Sequence, residues 1–264
     1  MSMRLFFLAA RRCLPGLAAL LLMASVASAD FQVRITEING STTSSSIIQG
    51  GTLSGTYLTY PAGNTTTPDF VVNLTSATSN SNASASTVNA VMTINGTITR
   101  LSSGGPLSVM IEVSDNHFTF PVGGQYTLSS STSGSFTNTG TGDSQAYRSY
   151  ANPGPSPALY GTAVNTSANL SLADTGTPFM GTTRSYNQTA TPINFNSSST
   201  PYGLTSVMML TLGGSDTTNS VYRSITFSGS TTAQAAVPEP ASLALLGLGG
   251  LVIGLRSRRR LRIA

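Results

Sequence analysis

The chain has 264 residues, of which 8% are charged and 39% hydrophobic, and its formal net charge is +4 at pH 7. Its arginines are concentrated at the two ends of the chain and lysine is absent, so the part between the ends is slightly acidic and has no basic patch for a nucleic acid. The hydrophobic content is also too high for an intrinsically disordered chain.

The first 29 residues have the three regions of a secretory signal peptide. A positive region contains Arg4, Arg11 and Arg12. An apolar run follows at residues 14–26, and Ala27-Ser28-Ala29 provides small residues at Ala27 and Ala29 for cleavage. The single cysteine, Cys13, lies in this segment, so a mature chain beginning at Asp30 has no disulfide. We therefore expect the export machinery to be a partner.

From residue 31 onward, short segments predict β-strands, most of them through alternating apolar and polar residues and residues 206–212 through an apolar run that suits burial on both faces. These segments are residues 31–38, 69–75, 87–94, 97–101, 106–113, 117–120, 125–129, 134–138, 206–212 and 221–228. No stretch of this body has helical periodicity. The sequence therefore predicts an all-β body, an antiparallel β-sandwich or a related fold, between an N-terminal signal helix and a C-terminal hydrophobic helix.

The connections between these strands are predicted from turn residues. Asn95-Gly96 is typical of a two-residue hairpin, and Asp115-Asn116 predicts another turn. The Pro-rich residues 152–157 either separate two small domains or form a long loop within one sandwich, and the single sandwich is favoured. The all-β body is assigned to residues 30–227, and the Ser/Thr/Ala-rich residues 228–236 are predicted to form a flexible stalk.

The body offers little catalytic chemistry. His117 is the only histidine, and although Asp115 is two residues away, no nucleophile elbow accompanies them. No metal-binding spacing occurs, and we expect neither a cofactor nor enzymatic activity. A secreted hydrolase remains the weakest alternative. A glycan-binding adhesin is the runner-up, because Tyr147 and Tyr150 could stack on sugar rings beside Arg148.

The tail, residues 237–264, can be interpreted as a membrane span, a buried helix or a sorting signal. Its apolar run, residues 241–255, is shorter than the roughly 20 residues of a comfortable span. A group of arginines follows the run and would keep the C-terminus on the cytoplasmic side. These stop-transfer residues are Arg256, Arg258, Arg259 and Arg260. Pro238 and Pro240 favour an extended backbone around Glu239, which suits recognition by a processing enzyme.

The order of these three parts resembles the PEP-CTERM sorting signal of exported proteins in Gram-negative bacteria with exopolysaccharide or biofilm systems. The resemblance is limited to the tail. It implies that Pro238, Glu239 and Pro240 are recognised by an exosortase, a membrane-embedded processing enzyme, and that the arginines stop transfer through the membrane.

The resemblance also implies a location. The protein would be attached to the inner membrane transiently by its C-terminal helix, and would then reach the cell surface or the extracellular matrix. Extracellular polysaccharide is a possible partner there. We therefore expect an exported, non-enzymatic surface or matrix protein.

Overall fold

The computed structural model describes residues 31–39, 42–49, 52–54, 57–60, 62–81, 89–120, 124–140, 142–153, 159–160, 170–173, 183–197, 201–216 and 221–235. Fifteen strands and no helix occur in this described part. The strands are β1 (Gln32–Asn39), β2 (Thr42–Gln49), β3 (Thr52–Ser54), β4 (Tyr57–Tyr60), β5 (Gly63–Thr66), β6 (Phe70–Ser79), β7 (Asn89–Arg100), β8 (Leu107–Phe118), β9 (Gly124–Thr137), β10 (Ser144–Asn152), β11 (Leu170–Ala173), β12 (Thr183–Thr189), β13 (Ile193–Ser197), β14 (Tyr202–Leu212) and β15 (Ser224–Ala235). The predicted signal helix and C-terminal helix lie outside the described residues.

The strands form two antiparallel sheets. The six-stranded sheet has the order β11-β10-β14-β8-β1-β2. The nine-stranded sheet has the order β12-β9-β15-β7-β6-β4-β3, with β13 also pairing β9 and β5 also pairing β6. The prediction of an antiparallel all-β body is therefore confirmed.

The core lies between the inner faces of the two sheets. Residues at alternate positions point inward, as in β7, where buried and half-buried residues alternate along the whole strand. One apolar cluster contains Val33, Ile111 and Phe227, which come from both sheets. A second cluster, towards the end of the sandwich where β15 ends, contains the aromatic residues Phe118, Phe120, Tyr126, Phe195 and Tyr202.

The hairpin predicted at Asn95-Gly96 is wrong, because β7 continues through both residues. Gly96 instead permits close packing: a Cβ atom at this position would lie 2.5 Å from the Asn73 carbonyl oxygen and 2.7 Å from the Phe227 ring. The pairing between β6 and β7 shifts register at Leu74, directly opposite. The glycine therefore accommodates a β-bulge and an aromatic ring within the sheet.

The turn predicted at Asp115-Asn116 is also wrong. The strand β8 continues to Phe118, with a register shift opposite Leu204 of β14. The Asp115 carboxylate accepts a hydrogen bond of 3.0 Å from the backbone N–H of His117. This short-range contact, which is typical of Asp in turns, stabilises an irregularity within the strand rather than its end.

The flexible stalk predicted at residues 228–236 is wrong for the described residues of that segment, because residues 228–235 belong to β15. This strand pairs with β7 on one side and β9 on the other, so it lies in the interior of the nine-stranded sheet. Thr231 and Thr232 suit a strand, and Gly229 leaves room for the Tyr147 ring, which a Cβ atom at this position would approach to 2.5 Å.

Strands from before and after residues 152–157 are interleaved in both sheets. In the six-stranded sheet, β14 lies between β10 and β8, and in the nine-stranded sheet, β15 lies between β9 and β7. The Pro-rich segment therefore does not divide the strands into two separately paired sets.

Candidate functional site

The predicted sorting and processing residues lie outside the described residues. These are Ala27, Ala29, Pro238, Glu239, Pro240, Arg256, Arg258, Arg259 and Arg260. The structure does describe the chain immediately before the tail. The strand β15 ends at Ala235, which pairs with Tyr126 of β9, and the preceding Gln234 pairs with Asn89 of β7. The tail therefore follows an interior strand with only Ala236 and Val237 before the first proline.

Aromatic side chains pack against one another at the end of the sandwich where β15 ends. Tyr126 stacks on Phe195 with 5.1 Å between ring centroids, and Tyr202 stacks on Phe118 at 5.7 Å. The Tyr202 hydroxyl donates a hydrogen bond of 2.7 Å to the Phe120 carbonyl oxygen. Burial raises the pKa of Tyr202, so this hydroxyl stays protonated and available as a donor.

No helix among the described residues has the length and apolar character needed to cross a membrane. The predicted span at residues 241–255 lies outside that part of the chain.

A cluster of buried hydroxyl groups joins β15 to the six-stranded sheet. The Thr231 hydroxyl lies 2.7 Å from the hydroxyl of Tyr147, 2.5 Å from that of Ser149 and 2.6 Å from that of Ser206. One hydroxyl donates one hydrogen bond and accepts two, so these three partners use the full capacity of Thr231. The cluster therefore fixes the position of β15 against the opposite sheet.

Replacing Thr231 with valine is expected to destabilise the body by about 2–3 kcal/mol, because three buried hydroxyl groups each lose a hydrogen-bond partner. The matched control is Thr232→Val, which removes an outward-facing hydroxyl from the next residue and should change stability by less than about 0.5 kcal/mol. Urea unfolding followed by circular dichroism measures both values. Equal stability of the two variants would show that the cluster contributes nothing.

Charged side chains are grouped at the opposite end, where β15 begins. The buried Asp143 carboxylate accepts hydrogen bonds from the Gly140 and Gly213 backbone N–H groups, each 2.5 Å long, and forms a 2.7 Å ion pair with Arg223. The Arg100 backbone N–H donates a hydrogen bond of 2.9 Å to the Arg223 carbonyl oxygen, and the Arg100 guanidinium carbon lies 4.8 Å from the Phe70 ring centroid. Burial lowers the pKa of Arg100, and the nearby acidic side chains partly offset this effect.

A second ion pair lies on the outer face of the six-stranded sheet. Arg34 is paired with the buried Glu112, and its guanidinium carbon is 4.1 Å from the Tyr160 ring centroid. The hydrogen bond from Arg34 to Glu112 raises the pKa of Arg34, and burial raises the pKa of Tyr160 to about 12. The Tyr160 backbone N–H also donates to Ser114, so this residue covers part of the face.

The structure does not support the two candidate sites from the sequence. Tyr147 is fully buried with its hydroxyl on Thr231, so it is not available to stack on a sugar, and Tyr150 points to the opposite face of β10. Asp115 is also fully buried. In the described part of the chain, no group of three or more His, Cys, Asp or Glu residues is placed to hold a metal ion.

On the outer face of the nine-stranded sheet, the strands β7, β9, β12 and β15 present uncharged polar residues. In β7, β9, β12 and β15, every outward-facing residue except Val91 is Ser, Thr, Asn or Gln. The strand pairing aligns them in rows across five strands. One row consists of Asn73, Thr97, Thr226, Ser135 and Ser185. We call this surface the hydroxyl face.

Hydrogen bonds between neighbouring strands orient several side chains of the hydroxyl face. Ser135 and Thr226 are joined by a 2.6 Å hydrogen bond. Thr78 and Thr93 are similarly joined at 2.7 Å. The described outward residues of the six-stranded sheet differ from this face, since they include Arg34 and Met110. The signal for it in the sequence is Ser or Thr at every second position, as in residues 129–137.

A family model described as the PEP-CTERM protein-sorting motif matches residues 236–260. The resemblance found in the tail is thereby confirmed, and the match begins one residue after β15 ends. The motif implies sorting by an exosortase and export through a membrane-attached form. No curated protein matches the chain.

Among solved structures, a chain in the structure of the infectious bursal disease virus Gx strain is similar at 11% sequence identity and a TM-score of 0.30. The alignment covers 82% of the present chain and 54% of the viral chain, so the present chain spans about half the length of its match. A similarity this low carries no argument about function.

Proposed function

We propose that this is a cell-surface or extracellular-matrix protein of a bacterium that secretes exopolysaccharide, and that an exosortase cuts its tail. The body is a non-catalytic component of the biofilm matrix. The observation that carries the proposal is the sorting motif at residues 236–260, which starts immediately after the last strand of the body.

Because the motif begins after β15, cleavage of the tail leaves the folded body intact. Cleavage at or near Pro238-Glu239-Pro240 removes no residue of β15, which ends at Ala235. The aromatic cluster and the Thr231 hydrogen bonds therefore remain complete in the processed protein. The arginines after the apolar run hold the tail in the membrane until the cut is made.

The charged residues of the body support a structural role. Asp143 binds two loop backbones and Arg223, while Glu112 is paired with Arg34. The contacts of Asp143 with Gly213 and Arg223, and the contact of Glu112 with Arg34, join segments that are distant in sequence. Such pairing suits carboxylates that stabilise connections between strands rather than carboxylates that activate a substrate.

Replacing Glu239 with glutamine is expected to slow processing of the tail about tenfold or more, because a hydrogen bond to a charged group contributes roughly 1.5–3 kcal/mol. Pulse labelling in the natural host, followed by separation of the uncut and cut forms, measures the rate. The matched control is Asp216→Asn, which removes an exposed carboxylate from the body and should leave processing unchanged. Unaltered processing of Glu239→Gln would exclude recognition of this side chain.

A further inference from the structure

We propose that the hydroxyl face of the nine-stranded sheet binds a neutral, extended polysaccharide through its aligned rows of hydroxyl and amide groups. The proposal rests on the proposed location of the protein in a polysaccharide-containing matrix, and it identifies both the binding surface and the chemistry of its ligand.

The spacing of the hydroxyl face suits a polymer. Adjacent strands in a sheet are about 4.8 Å apart, and outward-facing residues along one strand repeat about every 6.8 Å. The row that contains Asn95, Ser228, Ser133 and Asn187 therefore lies parallel to the row that contains Thr97 and its neighbours. An extended chain that carries hydroxyl groups at regular intervals can contact several rows or several members of one row simultaneously.

The side chains of this face are already oriented before a ligand binds. The hydrogen bonds between Ser135 and Thr226 and between Thr78 and Thr93 restrict their rotamers, and the Asn95 amide donates to Ser76 at 2.9 Å. A hydroxyl group has one donor and two acceptor positions, so each retains capacity on its solvent side. Preorganised groups lose less conformational entropy when they bind.

The charge of the hydroxyl face determines the kind of polysaccharide. No charged residue occurs among the outward-facing residues of β7, β9, β12 and β15. An acidic polymer would gain no electrostatic attraction at this surface and would lose hydration on contact with it. A neutral polymer exchanges hydrogen bonds with water for similar bonds with the protein, so its binding should be insensitive to salt.

Many weak contacts are needed for such binding. Removing one hydrogen bond between neutral groups lowers an affinity by about two- to tenfold. A single sugar, which reaches few members of the face, is therefore expected to bind too weakly to compete. A polymer engages many members of the face at once, and its affinity accumulates over these contacts.

The test uses the protein secreted by its own host, in the C-terminal form that the cell produces. Retention on cellulose and on immobilised dextran is measured at low and high salt, with alginate as an acidic polymer. The variant Thr97→Val/Thr226→Val/Ser135→Ala removes three hydroxyl groups from one row. The control, Ser108→Ala/Thr211→Val, removes a hydrogen-bonded pair of hydroxyl groups from the other sheet, where the two oxygens are 2.8 Å apart. Circular dichroism establishes that both variants fold.

We expect salt-independent retention of the wild type and the control on at least one neutral polymer, weak retention on alginate, and at least a tenfold loss of affinity in the triple variant. Full retention of the folded triple variant, retention that high salt abolishes, or no retention on either neutral polymer would overturn the proposal. Self-association or ice-crystal shaping that the triple variant abolishes, without retention on a polymer, would assign the face to another partner and would also overturn it. None of these outcomes depends on whether the tail is cut, which the mass of the secreted chain shows separately.

Discussion

A chain that ends after Arg223 is expected to be unfolded, whereas a chain that ends after Ala236 is expected to be as stable as the full-length protein. The first truncation removes β15, which is paired along its length with both β7 and β9. The second removes only the tail and leaves every residue of β15 in place. The two truncations differ by 13 residues and should have opposite effects on the fold.

The loss of stability expected for the chain that ends at Arg223 follows from the core contacts that β15 makes. Its inward-facing Ile225, Phe227 and Ala233 are buried in the core, and Thr231 holds the hydroxyl cluster. Loss of a buried aromatic side chain alone costs about 3–5 kcal/mol, against a typical total stability of about 5–15 kcal/mol. Removal of the strand also exposes two long unpaired edges, which promotes aggregation.

Secretion of both truncated chains, followed by circular dichroism and limited proteolysis, measures these effects. We expect a protease-resistant β-sheet protein for the chain that ends at Ala236. We expect degradation or aggregation for the chain that ends at Arg223. A folded, protease-resistant product from the shorter chain would contradict the placement of β15 in the interior of the sheet.

Replacing Gly134 with alanine is expected to destabilise the body by about 3 kcal/mol or more, at the upper end of the usual cost of overpacking. A Cβ atom at Gly134 would lie 2.0 Å from the Thr226 carbonyl oxygen and 2.5 Å from the Tyr186 hydroxyl. Tyr186 pairs directly with Gly134 across the strands and donates a hydrogen bond of 3.2 Å to the same carbonyl oxygen. The ring therefore occupies the space beside the glycine, and both backbone and ring would have to move.

Gly105→Ala is the matched control, because a Cβ atom at Gly105 would have no neighbour within 4 Å. We expect its stability to remain within about 0.5 kcal/mol of the wild type. Urea unfolding of the two variants under identical conditions compares them directly. Similar stabilities would show that the Tyr186 ring does not pack against Gly134.

Much of the fold is predictable from local patterns. Alternation of apolar and polar residues places Val33 and Ile35 in a strand and gives them the correct face, since both are fully buried. The same reasoning succeeds for Val109 and Ile111 in β8. These strands have one buried and one outer face, and period-two alternation reports that difference directly.

The predictions from the sequence are wrong where tertiary contacts override local sequence signals. Asn95-Gly96 is a strong hairpin signal, but the opposite β6 and the Phe227 ring favour a continuous strand. Residues 228–235 have the composition of a linker, but their two edges are satisfied by β7 and β9, which are distant in sequence. Strand neighbours of this kind cannot be deduced from composition, because they depend on the topology of the sheet.

The sorting tail and the hydroxyl face differ in the same way, because only the tail has a local signal in the sequence. The tail is recognisable from residues 237–260 alone, because its signal is local and ordered along the chain. The hydroxyl face is not recognisable in this way. Thr97, Thr226 and Ser135 become neighbours only when β7, β15 and β9 pair in the observed register. Equally, nothing local to Tyr147 indicates that its ring faces the core rather than a ligand.

We propose that this chain is exported, held in the membrane by its tail and cut just beyond β15. The most direct test is the intact mass of the protein recovered from the natural host, compared with the same host lacking its exosortase. We expect a C-terminus within residues 236–240 in the first strain, with β15 complete, and an uncut tail in the second. A mature protein that ends at Ala264 in both strains would contradict it.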